Sequence, residues 1–276
     1  MNVGTYEKNI MSKEKYNELL RKWQTGRLTD EESSMLETYR VDNAIILAAG
    51  YSSRCLPLSN IIPKCLFRVH GEVMIERQIQ QLLEVGIKDI IIVTGYKSEL
   101  LEYLQEKFNV KFVYNEEYYS KNNLYSLWKV RNYLANSYIC AADNYYEENV
   151  FRPYVYESYY SCKYSDNYLN EYFVETNDDD YIVKVKNGGK NGWYTMGPAF
   201  FSKAFSDKFI ELFEHDYQNE KYFDKTWDDY QMLHVRELPL LKEEHGEEVL
   251  EFDRIDEFVQ YDKSFTDYMT KMMSEQ

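Results

Sequence analysis

A segment of small, hydroxyl-bearing and basic residues between positions 47 and 64 has the composition of a triphosphate-binding loop. Its small residues let the backbone approach a ligand closely, because larger side chains would block that approach. Ser52 and Ser53 add hydroxyl and amide donors for phosphate oxygens, Arg54 offers a planar fork, and Lys64 carries a compact positive charge. Nucleotidyl transfer requires positioned anions and neutralised phosphate charge, and this loop can supply both. We predict that the nucleotide is bound by Leu47, Ala48, Ala49, Gly50, Ser52, Ser53 and Arg54, with Arg54 and Lys64 catalytic.

Apolar strands and amphipathic helices alternate around this loop. Residues 44–47 form a short apolar run typical of a buried parallel strand, and residues 74–85 carry apolar side chains at helical spacing. This alternation predicts a doubly wound α/β sheet that binds its ligands at the carboxyl ends of the strands. Asp143 follows the last predicted strand of the series. Further strands are predicted at 89–95, 110–114 and 138–142, and further helices at 97–108 and 123–134.

The second half of the chain has a different pattern. Short strand-like runs alternate there with turn-rich linkers, which predicts a β-rich insertion folded as a meander. The strands of the meander are predicted at 172–175, 181–186 and 193–201. Helices near 202–214 and 226–236, a strand at 247–253 and a final helix complete the predicted order.

Two short helices are predicted before the sheet begins. Gly26 ends the first, and the run from Thr29 to Glu32 is a capping-box pattern that starts the second. We therefore predict a helical N-terminal extension over residues 1–42 and a catalytic domain over residues 43–276. The extension is either a packing or dimerising hairpin, which would permit a homodimer, or the remnant of a larger multidomain protein.

Charge and cysteine content argue against several classes of protein. The net charge of −15 disfavours nucleic acid as a partner, because a phosphate backbone requires a basic footprint. No apolar run reaches the roughly 18 residues of a membrane helix, so no membrane span is expected. The four cysteines lack paired spacing, and the N-terminus lacks a basic-then-apolar signal segment. These features predict a cytoplasmic protein with reduced thiols.

The loop resembles the signature LAAGxGxRxxPLTxxxPKxL of the sugar-phosphate and choline-phosphate nucleotidyltransferases. It departs from the signature at Ser52 and Ser59, where glycine and threonine are usual. The resemblance implies a Rossmann-like, mixed and mostly parallel sheet flanked by helices. It also implies that Mg²⁺ is the cofactor, held by Asp143, which would be catalytic, and by Asp253, for which Asp256 is the alternative. The matching residues are Leu47, Ala48, Ala49, Gly50, Arg54, Pro57, Leu58, Pro63, Lys64 and Leu66.

Beyond residue 115, the chain resembles the bacterial CTP:phosphocholine cytidylyltransferases, notably in segments 122–127, 142–145 and 170–173. This resemblance implies that CTP and phosphocholine are the substrates and that CDP-choline and pyrophosphate are the products. A trimethylammonium group makes no ordinary hydrogen bond, so aromatic faces and a carboxylate would recognise it. The resemblance assigns the choline pocket to Tyr172, Trp227 and Asp228, and nucleoside contacts to Asn123 and Ser126.

Two alternative functions remain open. A sugar 1-phosphate nucleotidyltransferase would have the same loop and aspartates but a polar acceptor pocket. A catalytically silent sensor would bind nucleotide through the loop, although the presence of Arg54, Lys64, Asp143 and Asp253 together argues against it. Phosphoethanolamine is an alternative to phosphocholine as the acceptor.

Overall fold

The computed structural model describes residues 11–275, in which strands and helices alternate before a β-rich second half. The strands are β1 (Asn43–Ala48), β2 (Arg68–Val69), β3 (Glu72–Val73), β4 (Ile90–Thr94), β5 (Lys111–Tyr114), β6 (Ser137–Ala141), β7 (Asn144–Tyr146), β8 (Tyr159–Ser165), β9 (Leu169–Thr176), β10 (Ile182–Gly189), β11 (Gly192–Phe201), β12 (Leu241–His245) and β13 (Val249–Glu251). The helices are α1 (Lys13–Gln24), α2 (Asp30–Glu37), α3 (Met74–Glu84), α4 (Tyr103–Phe108), α5 (Asn123–Lys129), α6 (Lys203–Asp216), α7 (Trp227–Leu233), α8 (Ile255–Tyr261) and α9 (Phe265–Ser274).

A mixed sheet of nine strands forms the centre of the described chain. Its parallel half has the order β6-β1-β4-β5, and β11 joins this half by pairing antiparallel with β6. Strands β8 and β9 both pair with β11, while β10 extends the sheet from β9 and β12 extends it from β8. The predicted fold class, a mostly parallel sheet continued by a β-rich insertion, is confirmed.

The parallel strands are apolar because helices cover both faces of the sheet. Ile45 and Ile46 alternate sides along β1, and each is fully buried in a different hydrophobic core. One core contains α3, whose buried face includes Ile75, Ile79 and Leu82 at helical spacing. The other contains α5, α6 and α7, so the helices that carry predicted nucleoside and choline ligands share one core.

The N-terminal helices pack against the body of the chain. Ser12 caps α1, and Thr29 and Glu32 form the predicted capping box of α2. An aromatic cluster then joins this hairpin to the segment after β7: the ring centroids of Tyr16, Tyr39 and Tyr156 lie 5.1–5.5 Å apart, and Tyr154 packs against Trp23 of α1. Residues 11–42 therefore pack on the rest of the described chain, and the division into an extension and a catalytic domain stays a prediction. Residues 1–10 of the predicted extension lie outside the described residues, and a homodimer stays a prediction.

Several predicted elements have different bounds in the structure. The helix predicted at 97–108 begins as a 3₁₀ turn, Ser98–Leu101, and the predicted final helix is two helices, α8 and α9. The sequence does not predict β8 or β12. Four of the five residues of β12 are charged or histidine, and none of the five is fully buried, so the strand has no apolar pattern to recognise. None of the helices in residues 11–275 is both long enough and apolar enough to cross a membrane.

Candidate active site

A cavity of about 520 Å³ opens at the carboxyl ends of β1 and β6. The loop after β1 forms one wall, the first turns of α5 and α7 form a second, and β8, β9, β11 and β13 contribute further residues. Of the predicted loop residues, Ala48 lines a smaller adjoining cavity and Ser53 lines neither cavity. The predicted site residues that line the large cavity are Leu47, Ala49, Gly50, Ser52, Arg54, Lys64, Asn123, Ser126, Asp143, Tyr172, Trp227, Asp228 and Asp253.

The loop after β1 turns sharply at Ser52. This residue has φ 55° and ψ 50°, a left-handed conformation that glycine adopts most easily. The backbone therefore explains why glycine is usual at this position of the signature. A Cβ atom added to Gly50 would meet no protein atom within 4 Å, so the small residue there leaves space for a ligand.

Lys64 lies at the base of the cavity with only 6% of its surface exposed. Its ammonium contacts Asp143 Oδ2 at 2.8 Å, Asp253 Oδ1 at 3.4 Å and the carbonyl of Phe252 at 2.8 Å. Burial lowers the pKa of Lys64, but the two carboxylates outweigh burial and the net pKa is raised. Lys64 is therefore a permanent positive charge in a partly desolvated site.

Three carboxylates converge beside Lys64. Asp143, Glu251 and Asp253 each offer an oxygen within 4.8 Å of the others, which is a spacing that a single cation can bridge. Burial, followed by the charges of Asp143 and Asp253, raises the pKa of Glu251 well above its usual value. Burial also raises the pKa of Asp143, but Lys64 outweighs it and the net pKa is lowered.

Glu251 is a candidate ligand that sequence reasoning missed. It reaches the site because β13 pairs antiparallel with β7, which places Glu251 opposite Asn144, next to Asp143. The two paired residues are 107 positions apart in the chain. Asp256, the alternative to Asp253, is exposed and paired with Arg254.

Arg54 lies at the open side of the cavity. Its side chain is 66% exposed, and its guanidinium donates to Asp253 Oδ2 at 2.6 Å. Both oxygens of Asp253 therefore accept from basic residues, one from Arg54 and one from Lys64. An incoming triphosphate would offer the same two cations new anionic partners.

Another part of the cavity wall combines aromatic side chains with the buried carboxylate of Asp228. Asp228 is 8% exposed, and burial raises its pKa to about 6. No lysine, arginine or histidine among residues 11–275 forms an ion pair with it. Trp227 is mostly a core residue, packed edge-on against Phe201, so only part of its ring faces the cavity.

Two further aromatic residues line the cavity near Asp228. The hydroxyl of Tyr172 donates to Asp229 at 2.6 Å, which fixes its ring beside the start of α7. Tyr160, which was not predicted, lies with its ring centroid 4.9 Å from that of Trp227. Tyr160 belongs to β8, a strand that was not predicted. Without that strand, nothing in the sequence distinguishes this tyrosine from its neighbours.

The predicted nucleoside ligands lie on α5. The side-chain carbonyl of Asn123 accepts from the backbone N–H of Trp227 at 2.9 Å, so Asn123 also joins α5 to the start of α7. Ser126 is 4% exposed and accepts a hydrogen bond from Asn115 at 3.0 Å.

Comparison with known proteins identifies relatives of this chain. The sequence model of the MobA-like NTP transferase domain matches residues 44–150, the part that carries the loop and Asp143. The choline-phosphate cytidylyltransferase of Streptococcus pneumoniae is 36% identical over 216 residues, which cover 78% of this chain and 94% of that protein. The chain belongs to the choline-phosphate cytidylyltransferase family. As a member of this family it is a nucleotidyltransferase, as the loop predicted.

Other comparisons support the same family and show its range. The solved structure of the CTP:phosphocholine cytidylyltransferase from S. pneumoniae aligns with a TM-score of 0.78, over 81% of this chain and 98% of that one. A 2-aminoethylphosphonate cytidylyltransferase of Lancefieldella rimae is 32% identical over 229 residues, 81% of this chain and 93% of that protein. Both relatives are named for acceptors that combine an amine or ammonium with a phosphorus-bearing group.

Proposed function

We propose that this protein transfers CMP from CTP to phosphocholine, with Mg²⁺ as cofactor. The observation that carries the proposal is the buried carboxylate of Asp228, which has no cationic partner among the described residues and lies among aromatic faces. A buried carboxylate is costly unless it is paired, and a trimethylammonium group would pair with it without needing a hydrogen bond. The names of the S. pneumoniae relative and of its solved structure support this acceptor.

The reaction is a direct displacement at the α-phosphorus of CTP. A phosphate oxygen of phosphocholine forms the new P–O bond, the bond to the bridging α,β-oxygen breaks, and pyrophosphate leaves. Lys64 would stabilise the charge that develops on the α-phosphate, and Arg54 would bind the β- and γ-phosphates. Both side chains would exchange contacts with Asp253 for contacts with phosphate oxygens.

The three carboxylates fit the proposed cofactor. Asp143, Glu251 and Asp253 provide only oxygen donors, which Mg²⁺ prefers, and their mutual repulsion would be relieved by a divalent cation. When bound there, Mg²⁺ would neutralise phosphate charge next to Lys64. The backbone at Leu47, Ala49 and Gly50 would contact the base, together with Asn123 and Ser126 on α5.

The cytoplasm is the compartment we propose, because it supplies CTP and keeps thiols reduced. All four cysteines are buried free thiols, and none of them pairs with another.

A panel of acceptors tests the proposal. Pyrophosphate release with CTP and Mg²⁺ should be fastest with phosphocholine, slower with phosphoethanolamine and 2-aminoethylphosphonate, and at background with glucose 1-phosphate. Preference for the sugar phosphate would indicate the sugar 1-phosphate alternative, and tight binding of CTP without turnover of any acceptor would indicate the silent sensor. Preference for 2-aminoethylphosphonate would keep the reaction type and replace the acceptor.

A further inference from the structure

Asn115 is a buried asparagine with no predicted role. It follows β5, it is fully buried, and its backbone N–H donates to the carbonyl of Thr94 at 2.8 Å. Its side chain bridges two groups: Oδ1 accepts from the backbone N–H of Glu117 at 3.0 Å, and Nδ2 donates to Ser126 Oγ at 3.0 Å.

These contacts set the direction of the hydrogen bond to Ser126. A backbone N–H can only donate, so the oxygen of the Asn115 amide must face Glu117 and its NH₂ must face Ser126. The Ser126 oxygen is thereby an acceptor toward Asn115. Its own hydrogen has no acceptor among residues 11–275, and Ser126 lines the cavity. Ser126 is therefore oriented as a donor toward a ligand.

The position of Ser126 in the cavity indicates which part of the ligand it meets. The phosphates belong beside Lys64 and the three carboxylates, and the acceptor belongs beside Asp228, as the proposed function requires. The remaining wall combines Ser126 and Asn123 of α5 with Tyr118 and the backbone after β1. That wall is left for the nucleoside.

We propose that Asn115 is a positioning residue that fixes the Ser126 hydroxyl as a hydrogen-bond donor to N3 of the base, so that the site selects cytosine over uracil. N3 of cytosine accepts a hydrogen bond, whereas N3 of uracil carries a hydrogen. The other candidate positions do not give this selection: O2 accepts in both bases, and the 4-position of cytosine donates. A donor that cannot reverse its direction therefore distinguishes the two bases at N3.

Asn115→Asp tests the direction of this hydrogen bond. The aspartate can still accept from Glu117, but it also accepts from Ser126, which turns the serine oxygen toward the ligand as an acceptor. Titration calorimetry with CTP and UTP in the presence of Mg²⁺ measures base preference without any acceptor substrate. We expect the ratio of the UTP and CTP dissociation constants to fall by roughly 10- to 100-fold in Asn115→Asp, as expected for one reversed buried hydrogen bond.

Two further variants complete the test. Ser126→Ala removes the donor and should lower the ratio by roughly 3- to 10-fold. Asn122→Asp adds the same charge to the cavity at a side chain that already contacts the backbone of Asn123 and Asp224, so it should weaken both nucleotides alike and leave the ratio unchanged. A wild-type ratio in Ser126→Ala overturns the inference even if Asn115→Asp does not fold. A wild-type protein that binds CTP selectively but does not use phosphocholine would contradict the proposed function and not this inference.

Discussion

Replacing Asp228 by asparagine should make the protein more stable and a poorer enzyme. Burial raises the pKa of this carboxyl group from its ordinary value of 3.8 to about 6. A carboxyl group whose pKa is raised by folding destabilises the folded state when it is ionised. That penalty is absent below pH 3.8, develops between pH 3.8 and about 6, and is complete above about pH 6.

The size of the effect follows from the shift. A displacement of this size corresponds to at most about 3 kcal/mol of unfolding free energy at pH 8. We expect Asp228→Asn to gain about 1–3 kcal/mol at pH 8, a rise in Tm of roughly 2–8 °C, and to match the wild type near pH 4. Urea denaturation of both proteins at several pH values measures this difference in unfolding free energy. Asp229→Ala is the matched control: it breaks the capping box of α7 and should lower stability by about 1 kcal/mol at pH 8.

The same substitution should weaken the binding of the acceptor, phosphocholine. Loss of the carboxylate should raise KM for phosphocholine at least ~10-fold while KM for CTP changes little. In the wild type, KM for phosphocholine should also rise as the pH falls through about 6. The phosphate of phosphocholine itself titrates near pH 6. The pH dependence of KM in Asp228→Asn, which lacks the carboxyl group, therefore shows how much of the change comes from the substrate. A variant that is less stable at pH 8, or that retains the wild-type KM for phosphocholine, would refute the reasoning.

Substitutions at four other residues test separate parts of the site. Lys64→Ala should lower kcat at saturating CTP by at least ~100-fold, and near-normal turnover would remove Lys64 from the mechanism. Glu251→Gln should raise the Mg²⁺ concentration for half-maximal activity at least ~10-fold, and an unchanged metal titration would exclude it as a ligand. Ser52→Gly should keep thermal stability, whereas Ser52→Val should lose roughly 1–2 kcal/mol, because valine resists a left-handed backbone. Tyr172→Phe should keep KM for phosphocholine within ~3-fold of the wild type, whereas Tyr172→Ala should raise KM further. Equal KM values for the two variants in kinetic assays would contradict a contact between the aromatic ring and choline.

The parts of the site that could be predicted are those encoded by contiguous residues. The loop after β1 is recognisable because its strand, small residues and basic residues follow one another within 18 positions, from Leu47 to Lys64. Asp143 follows an apolar run, and the family resemblance identifies it as a metal ligand. The cavity contains both, and the family prediction is confirmed.

The parts that were missed depend on pairing between distant strands. Glu251 reaches Asp143 through the β7–β13 pair; the predicted strand at 247–253 contains β13, but the three-residue β7 was not predicted, so the pairing could not be foreseen. Tyr160 lies on β8, within a tyrosine-rich stretch that does not distinguish a cavity residue from its neighbours. Asn115 has no distinguishing sequence context, because its role comes from side-chain hydrogen bonds formed after β5 and α5 come together. The burial of Trp227 against Phe201 likewise depends on tertiary packing.

Phosphorus-31 NMR of the complete reaction tests the central claim most directly. With CTP, phosphocholine, Mg²⁺ and enzyme, we expect the resonances of CTP and phosphocholine to decline together while CDP-choline and pyrophosphate appear in equal amounts. The Asp143→Ala enzyme should produce neither product. Hydrolysis of CTP without CDP-choline, or an unchanged spectrum with folded wild-type enzyme, would contradict the proposed transfer to phosphocholine.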